Sequence, residues 1–161
     1  MVASPHALAS EAGVAILRAG GSAVDAAIAA AAVLSVVYPH MTSLGGDAFW
    51  LIHDARTGAV RSLEAAGRAA AGATLDWFAG RGLREIPVRG IVPATLTVPG
   101  AVDGWCEAHA AYGRLPLATD LAAASTSAER SIHRASRSVA PNPSRAKATA
   151  AARSVASGRR P

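Results

Sequence analysis

The first stretch with the makings of a chemical site is SLGGDAFW, Ser43 to Trp50: two glycines and an acid ahead of an apolar run. Such a turn can cradle a phosphate on backbone N–H groups, or it can simply carry the backbone round a tight corner. A phosphate loop needs a Gly-Lys-Ser/Thr ending that opens directly into a helix. Here no lysine follows, and AFWLIH (Ala48 to His53) has the character of a strand. The stretch therefore reads as a turn into a core strand, its glycines present for geometry. Asp47 reads as an acceptor of local backbone hydrogen bonds, with a catalytic carboxylate as the alternative.

The other polar residues offer less. His6, His40, His53, His109 and His133 show no metal-ligand spacing, so no metal is expected, and His40 and His53 read as structural. Cys106 has no adjacent histidine to activate it and reads as helix packing. As the single cysteine it allows no internal disulfide, which suits a reducing compartment. Asp103 and Glu107, four residues apart, share one helix face that reads as solvated rather than as an acid–base dyad. No cofactor is expected.

These residues must be held by elements that the pattern marks out. Ser4-Pro5 reads as a cap and first helical position, after which Leu8, Ala12, Ala15, Ile16 and Ala19 recur at helical spacing up to Gly20-Gly21. Ser22 can cap a second helix, with Asp25 at its positive end; that helix runs to Tyr38 and stops at Pro39. It has almost no polar face and should lie between layers. Strands are expected at Ala48–His53 and Ala59–Leu63 around an Asp54–Gly58 turn, and again at Ala94–Val98. Short and longer helices are expected after Thr74 and after Pro99-Gly100. Together these predict an α/β arrangement of helices layered on a sheet.

Length and charge set the outer limits. The 161 residues suffice for one domain with a real core. The most apolar segment, Ala23–Val37, is 15 residues long and contains Asp25, short of a membrane span. No basic start precedes an apolar run in MVASPHALAS, so a cytoplasmic location is expected. Through Thr119 there are 8 arginines against 9 acids, a net −1; from Asp120 onward 8 basic residues face 2 acids, a net +6. The Ser-, Arg-, Ala- and Pro-rich run beyond Thr119 has no sustained period and few large apolar groups, and it is expected to be disordered.

Residues 2–116 resemble the gamma-glutamyltransferase (glutathione hydrolase) family in the N-terminal part of its large chain. The resemblance rests on ASPHALASEAGVAILRAGGSAVDAAIAAA, SLGGDAFWLIHDARTG and LTVPGAVDGWCEAHAAYGRLP, in that order. Some variants, SLGGDAF and AAGRAAAGATLDWF, look closer to a bacterial subgroup that includes acylases. The resemblance implies part of an N-terminal nucleophile hydrolase fold, layered αββα and incomplete in this chain. It divides the chain into a family-like region, 1–118, and a basic tail, 119–161, that has the look of a frameshift product.

The same resemblance implies acyl transfer from an amide to water or an amine, through the N-terminal threonine of a separately cleaved small chain. A free α-amine near neutral pKa can take that hydroxyl's proton directly. None of Thr42, Thr57, Thr74, Thr95, Thr97, Thr119, Thr126 or Thr149 lies in the family's Thr-Thr-His-like context, so no catalytic residue is expected in this chain. One substrate-binding residue is implied. Arg68, in AAGRAAAGAT, matches the arginine of the subgroup's Gly-Arg-Ala-Pro run, although Ala70 replaces the family proline. Its planar fork suits a carboxylate, the alternative being a surface arginine. The expected partners are a small chain carrying the nucleophile and, in the complete enzyme, a γ-glutamyl or related acyl-amide substrate. Two rival readings remain: a non-catalytic module that docks on a separate small chain, and a nucleic-acid-binding arm in the basic tail.

Overall fold

The computed structural model describes residues 1–86 and 96–138, with 131–138 described as backbone only. The chain divides into two units, residues 1–127 and 128–161. In the second, the described part is the end of the last helix.

Helix α1 spans Ala7–Arg18. Its cap lies two residues later than Ser4: His6 is extended, and its Nδ1 accepts from the Leu8 N–H at 3.2 Å. Ser4 Oγ instead donates to the His6 carbonyl at 2.9 Å and pairs with Ser10 Oγ at 2.8 Å, tying the lead-in to the first turn. After α1, Gly20 takes φ 92°, the left-handed geometry that a side chain would strain.

Helix α2, Ala23–Val37, begins in a reciprocal capping box. Ser22 Oγ accepts from the Val24 and Asp25 N–H groups at 3.2 and 3.1 Å, and Asp25 Oδ2 accepts from the Ser22 N–H at 2.7 Å. The helix is covered on two sides, as its apolar composition requires. Ala26, Ala29, Ala30 and Val33 pack with Ala9, Ala12 and Ile16 of α1. Val24, Ile28 and Ala32 pack with Trp105 and Ala108 of a later helix and with Trp50 and Ile52 of the first strand. Alanine-rich faces let these backbones approach closely, which substitutes for large side chains.

Strands β1 (Ala48–His53) and β2 (Val60–Ala65) form an antiparallel hairpin, with Ala48 opposite Ala65 and His53 opposite Val60. Asp54 organises the turn, accepting from the Arg56 N–H at 2.9 Å and the Thr57 hydroxyl at 3.0 Å. Alternation along β1 turns Ala48, Trp50 and Ile52 toward the helices and leaves Phe49 and Leu51 outside. Thr74 caps α3, Leu75–Ala79, where Phe78 is buried and the Arg81 guanidinium lies 3.6 Å from the centre of the Trp77 ring. Residues 87–95, including the start of the expected Ala94–Val98 strand, lie outside the described residues. Thr97 makes an isolated antiparallel bridge with Ala69.

Helix α4, Ala101–Tyr112, meets the sheet at Gly104. A Cβ there would lie 2.5 Å from Ala65 Cβ and 3.2 Å from Ala48 Cβ. Gly104→Val should therefore push α4 off the hairpin and cost about 1–3 kcal/mol, read as a lower denaturation midpoint in urea. Cys106, on the same helix, is exposed rather than packed, and Asp103 and Glu107 are exposed with it.

Helix α5, Leu117–Ser138, corrects the expectation of disorder from residue 119. Its Leu117, Leu121, Ala123 and Ala124 pack against the two core clusters, and Asp120 is fully buried. Alanine supplies helix propensity that a search for large apolar groups passes over. The expected disorder of residues 139–161 falls outside the described residues.

Candidate functional site

The glycine turn is held by long-range backbone contacts. The Gly46 carbonyl accepts from the Gly100 and Ala101 N–H groups at 3.0 and 2.9 Å, seating the start of α4 on the turn. Asp47 Oδ1 accepts from the Gly67 N–H at 2.9 Å, so its partner is 20 residues away rather than local. Gly45 and Gly46 do not have positive φ, and a Cβ on either would meet only Ser43, at 3.7–4.0 Å. Within these contacts neither position demands glycine. The contact is exposed, so Asp47→Ala should cost no more than about 1 kcal/mol in a chemical-denaturation curve.

Arg68 lies three residues beyond the end of β2. Its carbonyl accepts from the Val98 N–H at 3.0 Å, which fixes the backbone, and the residue is exposed. The strip joining Asp47, Gly67, Arg68 and Val98 thus positions this arginine beside the glycine turn. Of the sequence-derived candidates, Arg68 and the turn are brought to one edge of the hairpin.

A second constellation was not visible in the sequence. Asp25, His109 and Asp120 come from α2, α4 and the first turn of α5, and their ligand atoms lie within 4.8 Å of one another. Asp25 reaches beyond its capping role: Oδ2 accepts from the Arg114 and Leu115 N–H groups at 2.9 and 3.3 Å. His109 Nε2 lies 2.7 Å from the Leu115 carbonyl, which can only accept, so this nitrogen carries the proton. The same Nε2 is 3.9 Å from Asp25 Oδ1 and 3.8 Å from Asp120 Oδ2. Both carboxylate oxygens of Asp120 are buried without a hydrogen-bond partner.

The two acids respond oppositely to burial. Desolvation works to raise the Asp25 pKa, but the Ser22, Arg114 and Leu115 N–H groups together outweigh it and hold the carboxyl below its ordinary range. Desolvation pushes the Asp120 carboxyl up to about 6, the Asp25 charge adds to the rise, and His109 opposes it. A spacing search of the sequence could not find this group, because 84 and 11 positions separate its members. The usable signal was narrower: an acid next to Leu121 on the buried side of an alanine-rich helix.

Comparison with known proteins places this geometry. The sequence profile of the gamma-glutamyltranspeptidase family matches residues 9–145. The chain is 52% identical over 118 residues to the glutathione hydrolase-like YwrD proenzyme of Bacillus subtilis, covering 73% of this chain and 22% of that one. It is also 52% identical over 108 residues to the oxamate amidohydrolase proenzyme of Klebsiella pneumoniae, covering 67% and 20%. Among solved structures, the cephalosporin acylase from Bacillus halodurans superposes with a TM-score of 0.68 at 43% identity, covering 76% of this chain and 22% of that one. The chain thus spans about a fifth of the length of these relatives, and its helices and hairpin are an incomplete part of the α/β N-terminal nucleophile hydrolase fold. On a family match that runs through 137 of 161 residues, this chain belongs to the gamma-glutamyltranspeptidase family.

Proposed function

We propose that residues 1–118 are the N-terminal part of the large chain of an amide hydrolase or acyltransferase, and that this polypeptide has no hydrolytic activity by itself. The reaction would move a γ-glutamyl or related acyl group from its amide to water or an amine. A small chain would supply the threonine nucleophile, and Arg68 would meet a carboxylate of the acyl group. An amidohydrolase and an acylase among the relatives widen the donor class beyond γ-glutamyl compounds.

One observation carries this reading: among the described residues nothing covers the outer face of the hairpin, where large apolar side chains stand exposed. Phe49, Leu51 and Val60 are 71%, 82% and 65% exposed on a two-stranded sheet. These three share the face with Glu64, Ser62 and His53, and large apolar side chains exposed at half of its positions suit a face that another part of a fold covers. The relatives' remaining four-fifths is the natural cover.

The purified chain should leave a γ-glutamyl anilide and a simple acyl anilide intact, and hydrolysis of either would refute its inactivity. The same bare face favours a second reading, a non-catalytic module docking on a separately encoded small chain. That reading predicts a stable complex on co-expression with a family small chain, seen as one peak in size-exclusion chromatography. Recovery of the two as separate species would end it.

A further inference from the structure

We propose that Asp25, His109, Asp120 and the Leu115 carbonyl form a binding site for one divalent transition-series cation, joining α2, α4 and α5. The site lies apart from the Arg68 edge and does not depend on the catalytic reading.

Three features point to a cation. Asp120 is fully buried, and neither of its carboxylate oxygens has a hydrogen-bond partner. Buried polar groups are nearly always satisfied, so an acceptor-only group left open in the interior marks a missing ligand. Charge is the second feature. Two buried carboxylates sit side by side, and among the described residues His109 is the one basic side chain within ion-pair distance of either. A single imidazole cannot balance both, whereas one dication does so completely. Third, the donor set is complete: one imidazole nitrogen, two carboxylate oxygens and one carbonyl oxygen, drawn from separate elements.

The side-chain distances fit this, and the 2.7 Å between Nε2 and the Leu115 carbonyl opens to about 3.4 Å when both hold one tetrahedral ion. Zinc-to-nitrogen and zinc-to-oxygen bonds of about 2.0–2.2 Å put two ligands of one ion at most about 4.3 Å apart. Nε2 lies 3.8 and 3.9 Å from the two carboxylate oxygens, within that span. The side-chain donors lie within 4.8 Å of one another, so the widest separation they allow closes by about half an ångström on binding. Asp25 Oδ2 keeps its Ser22, Arg114 and Leu115 N–H partners, while Oδ1 accepts only the longer branch of the Arg114 N–H, at 3.2 Å, and has a lone pair to give. The ion takes the place of the proton now bridging Nε2 and the Leu115 carbonyl; that proton leaves to solvent while Nδ1 takes one up, so the imidazole stays neutral and both Nε2 and the carbonyl oxygen become ligands. Mixed nitrogen and oxygen donors suit zinc, manganese or iron(II) better than calcium.

The test is titration of the chelator-treated full chain with Zn2+ in a calorimeter, paired with Co2+ uptake followed by visible absorption. The expected result is saturable uptake of one ion per chain and a melting temperature that rises with metal concentration. Asp120→Asn, which keeps shape and removes the charge, should weaken binding at least ~10–100-fold. Asp54→Asn and His53→Gln, on the exposed turn, should bind as the unaltered chain does. Absence of saturable uptake by the unaltered chain would overturn the site, whatever the variants do. So would uptake that survives in both Asp120→Asn and His109→Gln, or that disappears in His53→Gln.

Discussion

Asp25→Ala is expected to cost this chain most of its stability, seen as a steep fall in the urea midpoint of its circular dichroism at 222 nm. The carboxylate is fully buried and accepts from three backbone N–H groups, those of Ser22, Arg114 and Leu115. Hydrogen bonds to a charged group contribute about 1.5–3 kcal/mol each, and donors stranded in the interior add a desolvation cost. Even with incomplete additivity the loss is on the order of 3–5 kcal/mol. Whole domains have only about 5–15 kcal/mol in hand, so this loss takes a large share of it. Ser22→Ala removes only the hydroxyl half of the capping box and should cost about 1 kcal/mol, leaving the fold intact. An Asp25→Ala midpoint no lower than that of Ser22→Ala would show that the contacts to residues 114 and 115 contribute little.

That asymmetry between two residues of one capping box also shows where the sequence stops being legible. Ser22, the alanine period of α2 and Pro39 are local signals, and the helix forms between them as they indicate. The Asp54–Gly58 turn is local too, and the hairpin follows from it, with β2 beginning one residue later than its pattern suggests. Family likeness was equally readable, because it rests on motif order over residues 2–116. The far end of Asp25's reach was not: the Arg114 N–H is 89 residues away, and nothing in either segment records the pairing. Asp120 was hidden for a related reason. Its tail-like neighbours obscure a helix whose first turns are buried by tertiary contact with the core clusters around α2. His6 taking the cap in place of Ser4 is a smaller instance, since either residue offers an acceptor and backbone geometry chooses between them.

The second large effect concerns a completed enzyme. Fusing residues 1–118 to the corresponding remainder of the Bacillus subtilis relative should convert an inert polypeptide into one that cleaves itself and hydrolyses an acyl anilide. On the proposed reading the fusion would cover Phe49, Leu51 and Val60 and would supply a threonine in the context that this chain lacks. In that enzyme Arg68→Gln is expected to raise KM for acyl donors bearing a carboxylate by ~10–150-fold with little change in kcat. A bidentate arginine–carboxylate contact contributes about 1.5–3 kcal/mol, and every 1.4 kcal/mol is a factor of ten. Arg68→Lys should recover only part of the loss, because an ammonium cannot make the planar double contact. Donors without a carboxylate give the decisive contrast: their KM should not move. An equal loss on charged and neutral donors would make Arg68 a determinant of local structure, as its backbone contact with Val98 allows. No loss on either would leave it a surface arginine, and carboxylate recognition would have to come from the part of the fold beyond the hairpin.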